Sequence, residues 1–165
     1  MKWIVRIALF PAVLVAVGCG GRMPEGLGVD ATPGVLLPCP DKPNCVSSFA
    51  EDAEHRIRAI RIADAPTAAW EGLISILRAD TGAEVVIARD DYLYAVYTSR
   101  LMRYRDDVEF ILFADDGQIG LRSASRVGHS DMGVNRDRIE TIRTQLAERG
   151  LGDALGSEES VGSAQ

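Results

Sequence analysis

Between Arg122 and Arg143 the chain reads RSASRVGHSDMGVNRDRIETIR, with five arginines, three serines, an asparagine, a histidine and several carboxylates. Residues of these types, set before a helix, suit anion binding. Guanidinium groups fork onto phosphate or carboxylate, and the free N–H groups of a helix start add to the attraction. The candidate anion-binding residues are Arg122, Arg126, Asn135, Arg136 and Arg138. A structural reading competes. In it Ser130, Asp131 or Asn135 caps the helix, Gly128 and Gly133 allow the turn, and the arginines pair with Asp106, Asp107 and Glu109. Contiguous Ser, His and Asp in GHSDMG invite a hydrolase reading, but triad members converge from separate parts of a fold. Met132 also stands where a G-x-S-x-G elbow needs its second glycine. No catalytic residue, metal site or cofactor is assigned.

The elements that position this stretch follow from periodicity. HRIRAIRIA (55–63) alternates and predicts a first strand, with His55 solvated beside the acidic run EDAEH. DAPTAAWEGLISILRADTGA switches to helical spacing, with Trp70, Leu73, Ile74 and Leu77 on one stripe. Asp64 or Thr67 would cap this helix and Gly82 would close it. AEVVIA, YLYAVYTSRLM, DDVEFILFA and IGLRSASRV predict four strands, with Asp116-Gly117 as a hairpin signal. NRDRIETIRTQLAERG predicts a closing helix with Gly150 past its end. Arg122, Ala124 and Arg126 share one strand face, and Leu121, Ser123, Ser125 and Val127 the other. Tyr92, Tyr94, Val96 and Thr98 alternate against Leu93, Ala95 and Tyr97, so both faces of that strand carry bulk. It is either packed core or one wall of a shallow cavity for a lipid-like ligand, with the arginine-rich SRLMRYRDD as its lip or as a hairpin loop. The order β-α-β-β-β-β-α predicts a single small α+β domain: a mostly antiparallel sheet of about five strands with two amphipathic helices. The sheet face away from the helices is where function is expected.

The opening MKWIVRIALFPAVLVAVGCGG has a basic start, an apolar run too short to span a bilayer, and small residues before a cysteine. Residues 1–18 read as a lipoprotein signal peptide, with Cys19 as the lipidated new N-terminus. Ala16, where leucine is commoner, departs from that box. Gly20 and Gly21, with no Asp after the cysteine, predict outer-membrane sorting on the periplasmic face; a soluble periplasmic protein is the alternative. Cys39 and Cys45 are then the two cysteines left for a disulfide in an oxidising compartment. With His55 and His129 the only histidines, their spacing does not suit a redox pair or a zinc site. Residues 19–38 read as a flexible tether, 39–150 as the domain and 151–165 as a disordered acidic tail.

The 165 residues carry a net charge of −6, and losing Lys2 and Arg6 with the signal peptide makes it −8. An acidic whole does not favour nucleic acid or anionic lipid as a partner on electrostatic grounds. Lys42 is the sole lysine beyond that peptide.

CPDKPNCVSS, YLYAVYTSRLMRYRDDVEF and IGLRSASRVGHSDMGVNRDRIETIR together resemble the bacterial and plastid family catalogued as domain of unknown function 1499, over Pro38 to Arg149. The resemblance implies a single small domain, often exported or lipid-anchored, and brings no catalytic residues with it. The expected function is that of a non-enzymatic envelope lipoprotein whose domain binds a protein partner or an anionic or lipid-like ligand. The alternative is a hydrolase or transferase acting on envelope material.

Overall fold

The computed structural model describes residues 21–27 and 34–153. The signal peptide, Cys19 and most of the acidic tail lie outside the described residues. In chain order the elements are β1 (Cys45–Ser47), β2 (Ile60–Arg61), α1 (Pro66–Ala79), β3 (Ala83–Ala88), β4 (Tyr92–Thr98), β5 (Arg105–Phe113), β6 (Gln118–Ser125) and α2 (Val134–Glu148). The sheet is antiparallel in the order β1-β6-β5-β4-β3, and β2 shares the outer edge of β6 with β1. This is the expected α+β domain with two helices on a mostly antiparallel sheet.

Two local expectations change. The alternation over residues 55–63 yields only β2, because Ile60 and Arg61 alone pair with β6. The Ile57 amide bonds instead to the Ser47 carbonyl. Cys45–Ser47, unread in the sequence, becomes β1: three residues are too few to show a period. At α1 neither Asp64 nor Thr67 caps. Ala65 stands at the N-cap without a side-chain bond, and Pro66, whose missing N–H costs nothing there, opens the helix. Its C-cap is Asp80, whose carboxylate accepts from the Gly82 amide.

Strand alternation gives the sheet two different faces. Leu93, Ala95, Val108, Phe110, Ile119 and Leu121 meet Trp70, Leu73 and Leu77 of α1 and Ile139, Ile142 and Leu146 of α2, forming the main core. Arg143 of α2 is fully buried at its rim. It donates to the carbonyls of Ala59 and Arg58 and to the carboxylates of Glu140 and Asp153. Residues 151–153, expected in the disordered tail, therefore belong to the domain. Leu151 packs on the core, and Gly152 bridges to Ile62.

The opposite face carries Tyr92, Tyr94, Val96 and Ile111, covered by Leu27, Leu36 and Leu37. The tether expected over 19–38 is in its described parts a strap. Its Gly and Pro content hides the leucines that dock, and fully burying a side chain such as Leu27 is worth about 2 kcal/mol. The Cys39–Cys45 disulfide bolts the strap to β1. Elsewhere on this face Phe49 and Phe113 lie over Gly120, where an added Cβ would come within 2.9 Å of both rings. At the far edge the pairing of β3 with β4 slips between Val85 and Ile87, leaving Val86 exposed on a bulge.

Candidate functional site

The arginines of the Arg122–Arg143 stretch divide between the two sides of the sheet: period two puts Arg122 and Arg126 together on one face, and α2 carries Arg136, Arg138 and Arg143 over the other. Arg122 and Arg126 lie on the strapped face, facing β5 carboxylates. Arg126 donates three hydrogen bonds to Asp107, at 2.7 to 3.0 Å, and one of 3.1 Å to the Tyr94 hydroxyl. The Tyr94 hydroxyl in turn donates to Asp107 at 2.7 Å. Burial and the neighbouring Asp107 push the Tyr94 pKa up, whereas its bonds to Asp107 raise that of Arg126. This trio is closed on itself.

Arg122 is different. It stands in register with Glu109 and is buried, yet its nearest approach to that carboxylate is 3.6 Å. Neither its Nε nor its Nη1 has an acceptor. Glu109 Oε1 accepts from the Tyr92 hydroxyl at 2.7 Å, and Oε2 has no donor. Burial lowers the Arg122 pKa and raises that of Glu109, so each charge is held at a cost that its partner only partly offsets.

Both arginines line a cleft of about 420 Å³ under the disulfide loop, together with Lys42, Asn44, Ser125 and Asp107. Asn44 donates to the Gly128 carbonyl, but its Oδ1, also buried, has no donor. The cleft is thus lined by Arg122, whose buried Nε and Nη1 lack acceptors, by Asn44, whose buried Oδ1 lacks a donor, and by the exposed Lys42.

The other candidates do not join it. Arg138 crosses the helix face, bonding Asp106 at 2.6 Å, Ser123 and Asn135, with its guanidinium 4.3 Å from the Tyr97 ring centre. Arg136 donates to the Glu54 carbonyl. Asn135 is fully buried and donates to the Asn44 carbonyl, Ser125 and Asp131. The expected convergence of Arg122, Arg126, Asn135, Arg136 and Arg138 at the start of α2 therefore does not occur, because the sheet stands between the two groups. None of the residues proposed to cap α2 stands at its N-cap, which is Gly133; Asp131, two residues earlier, accepts from the amides of Gly133 and Asn135. Ser130 accepts from Met132. Ser130 and Asp131 thus serve the turn, beside an exposed His129.

Sequence reasoning missed Lys42 and Asn44, which come from the disulfide loop and show no period. It also took His55 as solvated. The ring is buried, with Nδ1 2.8 Å from Asp52 and Nε2 3.0 Å from the Lys42 carbonyl. The Lys42 carbonyl and the Asp52 carboxylate raise the His55 pKa, and the ring's contacts to both clamp the loop that forms one wall of the cleft. Among the described residues no group of three His, Cys, Asp or Glu side chains could hold a metal ion, and no helix is long and apolar enough to cross a membrane.

Residues 35–146 match the family model described as Protein of unknown function (DUF1499). The chain belongs to that family. The match covers the sheet, α1, α2 as far as Leu146 and the cleft residues from Leu37 onward, so the DUF1499 domain includes Lys42, Asn44, Arg122 and Arg126. No curated protein and no solved structure matches the chain.

Proposed function

We propose that this DUF1499 protein is a non-enzymatic, lipid-anchored envelope protein whose periplasmic domain binds a small anion in the cleft beneath the Cys39–Cys45 loop. The anchor reading rests on residues 1–19, with Cys19 carrying lipid and the outer membrane as destination. The observation that carries the binding reading is Arg122. A buried guanidinium with two nitrogens lacking acceptors costs free energy until an acceptor arrives. A carboxylate or phosphate supplies that acceptor bidentately. A hydroxyl on the same ligand would satisfy Asn44 Oδ1, and Lys42 would close over the charge. Of the ligand classes expected from the sequence, the anionic one is thus favoured.

Lys42 also supplies the readout. It is the sole lysine of the mature chain, so acetylation of one peptide reports on the cleft. Inorganic phosphate should slow Lys42 acetylation and raise the melting temperature, both saturably and with one midpoint. Arg122→Gln should abolish both effects. Lys42→Ala, an exposed change that leaves the fold intact, should weaken the thermal effect about tenfold in midpoint. Equal acetylation rates with and without phosphate, and a melting rise that tracks ionic strength alone, would overturn the reading.

A further inference from the structure

Two loops at one end of the sheet expose apolar side chains that the fold does not use. Between β4 and β5, Leu101 is 88% exposed and Met102 51%; in the loop before α2, Met132 is 94% exposed, and Val134, the first residue of α2, is 48% exposed. Tyr104, from the first loop, Met132, from the second, and Val134 line one cavity of about 650 Å³. Gly21 lines the same cavity and lies against Arg126 and Val127 so closely that a Cβ there would come within 2.8 Å of both side chains. The chain therefore reaches the fold beside these loops, two residues after Cys19.

The backbone at both tips is held in an unfavourable conformation. Arg103 (φ 56°) and Met132 (φ 58°) are the only non-glycine residues at positive φ among the described residues. Such strain is kept where the surroundings impose it, and at Met132 it accompanies an almost fully exposed side chain. The first loop is also basic. Arg100, Arg103 and Arg105 are exposed around Leu101, Met102 and Tyr104, on a protein that is acidic as a whole. The acidic residues lining the cavity are committed elsewhere: Asp106 holds Arg138, and Asp131 accepts from the amides of Gly133 and Asn135. Apolar tips ringed by arginine and an aromatic match the chemistry of a bilayer interface, where acyl chains take the tips and anionic headgroups take the guanidinium groups.

We infer that the Leu101–Tyr104 and Met132–Val134 loops form a membrane-contacting surface that lays this end of the domain on the anionic leaflet. The occupant is the leaflet itself. The orientation rests on the reading of Cys19 as the lipidated residue, two positions before Gly21 in the chain.

The test uses the full chain, produced in a bacterial envelope and reconstituted into phosphatidylethanolamine vesicles containing phosphatidylglycerol. A cysteine at Leu101→Cys, Met132→Cys or, as a distant control on the β3 edge, Val86→Cys carries an environment-sensitive fluorophore. All three sites are exposed, so the fold tolerates the label. Labels at 101 and 132 should shift to the blue and be quenched by headgroup-attached nitroxide lipid at least about twofold more than the label at 86. Quenching at 101 and 132 no greater than at 86 would overturn the inference. So would shielding that persists without vesicles, which would assign the patch to another copy of the chain. Intact mass reads acylation of Cys19 separately. An acylated chain with water-exposed labels keeps the anchor and sinks the contact. An unacylated chain with buried labels does the reverse.

Discussion

Arg122 and Glu109 face each other in direct register across β6 and β5, yet they come no closer than 3.6 Å. One step along the same face, Arg126 and Asp107 touch at 2.7 Å. The fold therefore holds one satisfied ion pair and one loose one side by side. Glu109→Gln keeps an acceptor for Tyr92 but leaves Arg122 buried without its countercharge, and should destabilise the domain by about 3 kcal/mol. Arg122→Met strands the carboxylate instead, and that carboxylate can protonate. Because Glu109 already has a raised pKa, the Arg122→Met variant should recover stability relative to wild type as the pH falls through the carboxylate range. Urea midpoints at several pH values check both, and a pH-independent gap between Arg122→Met and wild type would refute the second.

Arg143 should be the costliest arginine to lose. Its guanidinium gathers two backbone carbonyls and two carboxylates with no exposure to solvent, joining α2 to the segment before β2 and to the chain beyond α2. Arg143→Met should cost about 3–5 kcal/mol, whereas Arg136→Met, which frees one carbonyl at the surface, should cost under about 1 kcal/mol. Comparable losses in thermal melts would contradict this.

His55 imposes a pH dependence whose sign is fixed by its partners. Its folded pKa lies above the usual 6.5 because Lys42 and Asp52 favour the imidazolium. The resulting stability is fully present below pH 6.5 and fades as the pH rises through the folded value. His55→Gln should remove that part of the slope, seen as wild-type and variant stability curves that converge from mildly acidic to alkaline pH. Parallel curves would show that the ring stays neutral.

The strap depends on the disulfide for its placement. Cys45→Ser opens a loop of sequence separation 6 and should cost about 2 kcal/mol, with faster amide exchange at Leu36 and Leu37. Unchanged exchange at those leucines would show that Leu27, Leu36 and Leu37 hold the strap unaided.

The anchor has a plain assay. Cys19→Ala should move the mature protein from the membrane to the soluble periplasmic fraction and remove the lipid mass. Retention in the membrane would sink lipidation as the tether.

What the sequence made legible was whatever repeats. Arg122, Ala124 and Arg126 sort onto one face because a strand has period two, and Ile139, Ile142 and Leu146 align because a helix has period 3.6. The β5 carboxylates could be named as partners on charge alone. Which arginine meets which carboxylate, and how tightly, depends on the β5–β6 register, and nothing local shows that Arg122 meets Glu109 but not within bonding distance. The strap was hidden for a related reason. Leu27, Leu36 and Leu37 sit among glycines and prolines without a period, and only the uncovered face of Tyr92, Tyr94 and Ile111 gives them a destination. Lys42, Asn44 and His55 meet through a disulfide loop and a carbonyl, neither of which leaves a pattern in residue type.

The slip in pairing at Val86 bears on how copies of the protein behave at close quarters. β3 is the open edge of the sheet, and an open edge is a template for another strand. A regular β3 would offer a neighbouring copy an unbroken row of amides and carbonyls. The bulge interrupts that row midway along the strand and turns one residue out of register. Glu84, exposed two residues before Val86, adds a charge that an identical partner would have to confront. The irregularity at Val86 thus guards against self-zippering and keeps neighbouring copies of the domain separate.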